Sequence, residues 1–115
     1  MVYQTQNLEQ KARKVLETVE LMGLDFVRGS QAHAQHLTYG LEHELYSQDA
    51  IDTANTEFRQ TKARKVLETV ELMGLDFVRG SQVHAPHLTY GLEHELYNQT
   101  TVDATQKRYE ASHKN

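Results

Sequence analysis

Six of the seven histidines lie in two copies of one segment, at the same spacing in each copy. Residues seven apart on an ideal helix lie within about 20° of each other, so His36 and His43 would share a face, with Glu44 beside them. Imidazole and carboxylate groups are ligands for zinc, nickel, cobalt and copper. The candidate metal ligands are His33, His36, His43 and Glu44, and their counterparts His84, His87, His94 and Glu95.

The spacing of these histidines also limits such a site. His36 and His43 would stand about 10.5 Å apart along a helix, which is too far to hold one ion together. Two rows meeting across a twofold axis would supply four or more ligands, and an apolar pocket between the halves would suit a haem with histidine as axial ligand. Histidines that only line a polar rim or a helix contact also fit the pattern, and this is the simpler interpretation.

Other catalytic patterns are missing from the chain. A carboxylate-bridged pair of metals is suggested by four glutamates, Glu42, Glu44, Glu93 and Glu95. That design needs inward Glu-x-x-His motifs, and the one such motif, Glu110 with His113, has no twin. Cysteine is absent, and no serine has the context of a nucleophile. We expect the tyrosines of the two copies to bury their rings and to keep their hydroxyl groups in contact with water. We therefore expect a protein that is not an enzyme.

Composition narrows the class of protein further. The chain has 115 residues, a formal net charge of -4, one proline and no tryptophan. No block of basic residues suggests nucleic-acid binding, no apolar run suggests a membrane span, and the polar first ten residues argue against a signal peptide. These features predict a cytoplasmic protein without nucleic-acid or membrane partners.

Residues 11–46 recur as residues 62–97, and only two of the 36 positions differ: Ala32 is Val83, and Gln35 is Pro86. In the 15-residue segments that follow, 47–61 and 98–112, 13 positions differ. The near-identity therefore ends abruptly at the edges of the copied segment. Three origins fit this pattern: a recent duplication with gene conversion, a function that requires the same residues in both copies, and an engineered copy. Near-identical halves in one chain predict pseudo-twofold symmetry.

The apolar spacing predicts helices. A seam with steps of four and three residues runs along the first helix, which ends at Arg28-Gly29. It consists of Leu8, Ala12, Val15, Val19, Met22 and Phe26. Gly23 would lie inside this helix and would cost about 1 kcal/mol, which a close approach by another helix would offset. Four leucines fall off the seam and suggest a further interface: Leu21, Leu24, Leu72 and Leu75.

Proline and the leucine pattern place the remaining helices. Pro86 suits the first turn of a helix, so the second helix of each copy should begin near Ala34 and Ala85, with Leu37, Leu41 and Leu45 as its stripe. The unbroken pattern after the first copy predicts a long helix over 49–78 and a shorter one over 101–112, with N-caps at Ser47 or Asp49 and at Thr100 or Thr101.

These observations predict an all-α antiparallel helical bundle that forms a single domain over residues 1–115. Repeat 1 is 11–46, the connector is 47–61, repeat 2 is 62–97, and 98–115 holds a C-terminal helix. A lone hairpin cannot hide its apolar side, so we expect the two hairpins to cover each other. The expected function is a non-enzymatic scaffold or self-association module. The alternative is a binding protein for zinc, nickel, copper or haem.

Overall fold

A computed structural model describes residues 2–113, with side chains from residue 7 onward, and within this range the regular secondary structure is all helix. The helices are α1 (Val2–Met22), α2 (Leu24–Gly29), α3 (Gln31–Glu42), α4 (Gln48–Met73), α5 (Leu75–Arg79), α6 (Ala85–Glu93) and α7 (Gln99–Ser112). The predicted all-α class is confirmed. Residues 114 and 115 of the predicted C-terminal segment lie outside the described residues.

The chain divides into two compact units, unit 1 (Met1–Phe58) and unit 2 (Arg59–Asn115). Unit 1 contains α1, α2, α3 and the first part of α4. Unit 2 contains the rest of α4, α5, α6 and α7. Each unit is therefore a copied hairpin followed by a third helix from the segment that differs between the copies. The prediction of one domain with pseudo-twofold symmetry stays a prediction.

Each unit has its own hydrophobic core, and the third helix completes it. The buried cluster of unit 1 comprises Val15, Val19, Leu24, Val27, Leu37, Ile51 and Ala54. The cluster of unit 2 comprises Val66, Val70, Leu75, Val78, Leu88 and Val102. Burial of each large side chain contributes about 1.5–3 kcal/mol. Ile51 and Val102 of the third helices thus pack into the core of their own units. The expected cover of one hairpin by the other stays a prediction.

The first helix of each copy is broken at its glycine, which the sequence placed inside a continuous helix. Gly23 has φ 91° and ψ 155°, and Gly74 has φ 90° and ψ 156°, a left-handed region that favours glycine. The predicted helix over 49–78 is therefore wrong beyond Met73.

The break also shifts the buried face of the segment that follows it. Phe26, predicted on the seam, is exposed, while Val27 and Leu24 are buried. Leu75 is buried in the same way, so two of the four leucines expected at a further interface belong to the core instead.

Helix starts depend on single residues. α6 begins at Ala85 as predicted, but α3 begins at Gln31, three residues before the predicted Ala34. Proline has no N–H for a bond to the carbonyl four residues earlier, so Pro86 prevents the extension that Gln35 allows. α7 begins at Gln99, because Asn98 rather than a threonine caps it by accepting a bond from the Thr101 N–H at 3.0 Å.

The remaining boundaries follow the local sequence. Ser47 Oγ accepts a hydrogen bond from the Ala50 N–H at 3.2 Å, as its predicted N-cap role requires. α3 ends at Glu42, so Leu45 follows the helix instead of continuing its stripe. In the part of the chain that the structure describes, no helix has the length and apolarity needed to cross a bilayer.

Candidate functional site

The candidate histidines lie against aromatic rings of their own unit. The ring centroids of His33 and Phe26 are 5.9 Å apart, and those of His84 and Phe77 are also 5.9 Å apart. One turn of helix brings His43 onto Tyr39 at 4.0 Å, and His94 lies on Tyr90 at 4.1 Å. These contacts match the helix-contact interpretation of the histidines.

His36 and His87 occupy the half-buried position in the middle of each row. The His36 carbonyl oxygen accepts a hydrogen bond from the Tyr46 hydroxyl at 3.4 Å. Burial lowers the pKa of His87, and the positive charges of Lys62, His84 and Arg59 lower it further.

Among the residues that the structure describes, no three or more His, Asp or Glu side chains are grouped so that they could hold a metal ion. Glu44 and Glu95 lie at the ends of α3 and α6 with φ 55° and φ 57°. Each occupies the left-handed position of a Schellman motif, in which the Leu45 N–H donates to the Gly40 carbonyl at 2.9 Å. Metal or haem binding by the candidate residues stays a prediction from the sequence.

The repeat tyrosines fasten α3 and α6 to the preceding long helix. The Tyr46 hydroxyl donates to the Ala12 carbonyl at 3.0 Å, and the Tyr97 hydroxyl donates to the Ala63 carbonyl at 2.8 Å. A Cβ at Gly40 would lie 2.2 Å from the phenol of Tyr46, so this glycine leaves room for the ring. Burial raises the pKa of both tyrosines. They act as structural hydrogen-bond donors.

The divergent third helices supply the same contacts with different residues. Asn55 Oδ1 accepts the Leu24 N–H at 3.0 Å, and Gln106 Oε1 accepts the Leu75 N–H at 2.7 Å. These N–H groups begin α2 and α5, which have no side-chain cap of their own. An aromatic ring lies over the glycine at each helix break: Phe58 over Gly23 and Tyr109 over Gly74.

The charges beside these contacts differ between the units. In unit 1, Glu57 is close to Glu20, and its negative charge, some desolvation and Glu17 raise the pKa of Glu20. In unit 2 the position of Glu57 is held by Arg108, which forms an ion pair with Glu71, the counterpart of Glu20. Like charges therefore face each other in unit 1, and opposite charges in unit 2.

Each unit exposes the same apolar patch where its first long helix ends. Patch 1 consists of Leu21, Met22 and Phe26, whose exposed fractions are 71%, 49% and 45%. Patch 2 consists of Leu72, Met73 and Phe77, whose exposed fractions are 68%, 49% and 47%. Large apolar side chains that cluster on a surface commonly mark an interaction site.

Polar side chains inside the units are satisfied internally. Among the described residues, no buried side-chain nitrogen or oxygen lacks a hydrogen-bond partner. A preorganised catalytic or cofactor site would direct such groups towards a ligand. The exposed apolar patches are a candidate functional surface. Comparisons with protein-family models, with curated proteins and with solved structures found no match.

Sequence reasoning missed the residues that unite each unit, namely Asn55, Gln106, Phe58 and Tyr109. All four were visible in a comparison of the sequence with itself 51 positions later, because an aromatic residue recurs at 58 and 109. An amide likewise recurs at 55 and 106. Their partners could not be read from the sequence. Nothing in it places an aromatic ring beside the glycine 35 positions earlier, or an amide beside the N–H of the leucine after that glycine.

Proposed function

We propose that the chain is a non-enzymatic helical scaffold that associates with itself through patches 1 and 2. The observation that supports this proposal most directly is the presence of the same exposed Leu-Met-Phe cluster in both units. The third helices differ at most positions, whereas the six patch residues are identical in pairs. Exposed side chains this large have no role in either core.

The physical case rests on apolar area. Leu21 and Leu72 are exposed to water in the monomer. Full burial of a leucine side chain at a contact would stabilise that contact by about 1.5–3 kcal/mol. Two such patches on one chain allow each molecule to contact two others, so assemblies larger than a dimer are expected as concentration rises.

The test compares Leu72→Gln with Val83→Gln by sedimentation velocity over a range of protein concentrations. Both residues are 68% exposed, but Val83 lies outside the patches, so the control removes similar apolar surface elsewhere. We expect the wild type and Val83→Gln to form larger species as concentration rises. Leu72→Gln should weaken this growth, and Leu21→Gln with Leu72→Gln should abolish it. A wild type that stays monomeric at the highest concentrations would refute the proposal.

A further inference from the structure

Each copied hairpin holds its third helix in an apolar groove, and the two grooves have the same residues. Groove 1 is formed by Val15, Val19, Leu24, Val27 and Leu37, and groove 2 by Val66, Val70, Leu75, Val78 and Leu88. The segments that fill them are different: 48–58 and 99–109 share only a glutamine at the first position and an aspartate at the fifth. The structure therefore shows one kind of groove occupied by two different helices.

Four positions of the third helix make the same contacts in both units. An apolar residue, Ile51 or Val102, enters the core and is 0% exposed, and a small residue three positions later is also buried. The next residue is the amide that accepts the first N–H of α2 or α5, and three positions further an aromatic ring covers the glycine. Anchors at i, i+3, i+4 and i+7 are the pattern by which a groove recognises an amphipathic helix.

The position before the aromatic residue differs in charge between the two helices. In unit 2 it is Arg108, which forms an ion pair with Glu71 beside groove 2. In unit 1 it is Glu57, whose negative charge raises the pKa of Glu20, the identical counterpart of Glu71. Because the carboxylate beside the groove is the same in both units, the difference lies in the bound helix. At this contact segment 48–58 is the poorer match for its groove.

Exchange of third helices between copies of this chain would not remove the repulsion. Every copy brings one segment with Glu57, one helix with Arg108, and two grooves that present the same carboxylate. Any arrangement of these helices among these grooves has as many Glu–Glu contacts and as many Arg–Glu contacts as before. Only a helix from another protein, with a basic residue at this position, would reduce the repulsion in groove 1.

We propose that groove 1 is a docking site for a helix of another protein, which displaces segment 48–58. From its first anchor, this helix has an apolar residue, a small residue at i+3, an amide at i+4, a basic residue at i+6 and an aromatic residue at i+7. α7 has this pattern from Val102 to Tyr109. The attached segment competes at an effective concentration on the order of millimolar, so we expect weak binding to the wild type. The inference does not depend on patches 1 and 2.

The probe is a fluorescent synthetic peptide with the sequence of residues 98–113, titrated with the full-length chain and followed by anisotropy. Asn55→Ala with Phe58→Ala removes two anchors of the competing segment, and alanine is a good helix former. The affinity for the peptide should therefore rise by about tenfold or more. A control peptide with Gln106→Ala and Tyr109→Ala lacks the same two anchors and should not bind.

Glu57→Arg is the variant that strengthens the competing segment. It supplies segment 48–58 with the ion pair that Arg108 makes in unit 2, so the affinity for the peptide should fall by roughly fivefold. This comparison with the wild type changes an exposed side chain, and it does not require the anchors of segment 48–58 to be removed.

Charge reversal beside each groove identifies where the peptide binds. Glu20→Lys should weaken binding by roughly fivefold, because Arg108 of the peptide then meets a like charge. A peptide with Arg108→Glu should bind this variant better than the original peptide does. Glu71→Lys is the matched control in unit 2. It should leave binding of the original peptide unchanged, because the peptide and the attached α7 carry the same arginine.

The outcomes separate this inference from the proposed self-association, which sedimentation of the patch variants tests by itself. If the control peptide binds as well as the original one, or if Glu20→Lys has no effect, groove 1 is not the site. If the variant Asn55→Ala with Phe58→Ala keeps its helix content by circular dichroism and binds no peptide, the inference is wrong. If that variant unfolds, the comparison of the wild type with Glu57→Arg decides, and equal affinities or no binding to either would refute the proposal.

Discussion

At the scale of single residues, similar positions in the two units show which side chains the fold requires and which it tolerates. Gln106 replaces Asn55, and Tyr109 replaces Phe58, yet the hydrogen bond to α5 and the ring over Gly74 are kept. Arg108 replaces Glu57 and reverses a charge without changing the helix. The geometry of acceptor and ring is thus fixed in both units, while surface charge varies.

Glu44 occupies a left-handed position that costs a non-glycine residue about 1 kcal/mol. We predict that Glu44→Gly raises the free energy of unfolding by about 1 kcal/mol, because glycine adopts this conformation without steric strain. Glu42→Gly is the matched control, since Glu42 is the last helical residue of α3 and glycine there should cost about 0.5–1 kcal/mol. Urea unfolding followed by circular dichroism measures both. A loss of stability in Glu44→Gly would show that the glutamate side chain stabilises the fold.

The histidine rows were visible in the sequence, but their environment was not. The spacing of His36 and His43 indicated a shared face on a continuous helix, whereas α3 ends at Glu42. His43 therefore caps the helix and turns onto Tyr39. The ring contacts of His33 and His84 depend on the break at each glycine, which brings Phe26 and Phe77 off the long helix. Spacing along the chain could not give these directions.

At the scale of elements, the helix breaks at Gly23 and Gly74 determine how each unit folds. The seam of α1 from Ala12 to Val19 was predictable because its steps of four and three residues match one helix face. Beyond Gly23 the predicted phase fails, because a residue with φ 91° ends one helix and starts another in a new direction. Local propensity assigned Gly23 only a small cost and could not show that a ring would press against it.

We predict that Gly23→Ala destabilises the chain by about 2 kcal/mol or more. The new Cβ would lie 2.7 Å from the Phe58 ring, and the alanine would have to adopt the positive φ of Gly23. Backbone strain and overpacking each cost about 1–3 kcal/mol. Gly29→Ala is the control, because nothing lies within 4 Å of a Cβ at Gly29. Alanine there should be neutral or stabilising by up to about 1 kcal/mol. Thermal and urea unfolding of the two variants give the comparison, and equal stabilities would contradict the strained-turn account.

The third helices illustrate the limit of pattern reading. Their apolar spacing matched between the copies, and the sequence predicted both of them as helices with nearly correct bounds. It did not reveal that Ile51 and Val102 complete the cores of their own units. An apolar stripe of suitable length can cover a helix face wherever it lies in the chain, so the sequence pattern alone did not identify Ile51 and Val102 as core residues.

At the scale of the whole molecule, the two units repeat a set of exposed apolar side chains and differ in net charge. Each unit has its own buried cluster, and the expected mutual cover of the two hairpins stays a prediction. Among residues 7–113, the large apolar side chains that are exposed are those of patches 1 and 2, together with Leu8 and Val83. Their duplication is the reason to expect an assembly of chains and not an isolated molecule.

The most direct test of this account is the methyl NMR signal of the methionines, recorded at increasing protein concentration. The chain has three methionines, and Met22 and Met73 report on patch 1 and patch 2 separately. We predict that both signals shift or broaden together as concentration rises, and that Leu21→Gln with Leu72→Gln prevents the change. If larger species form while the signals of Met22 and Met73 stay constant, the patches are not the contact surface and the account is wrong.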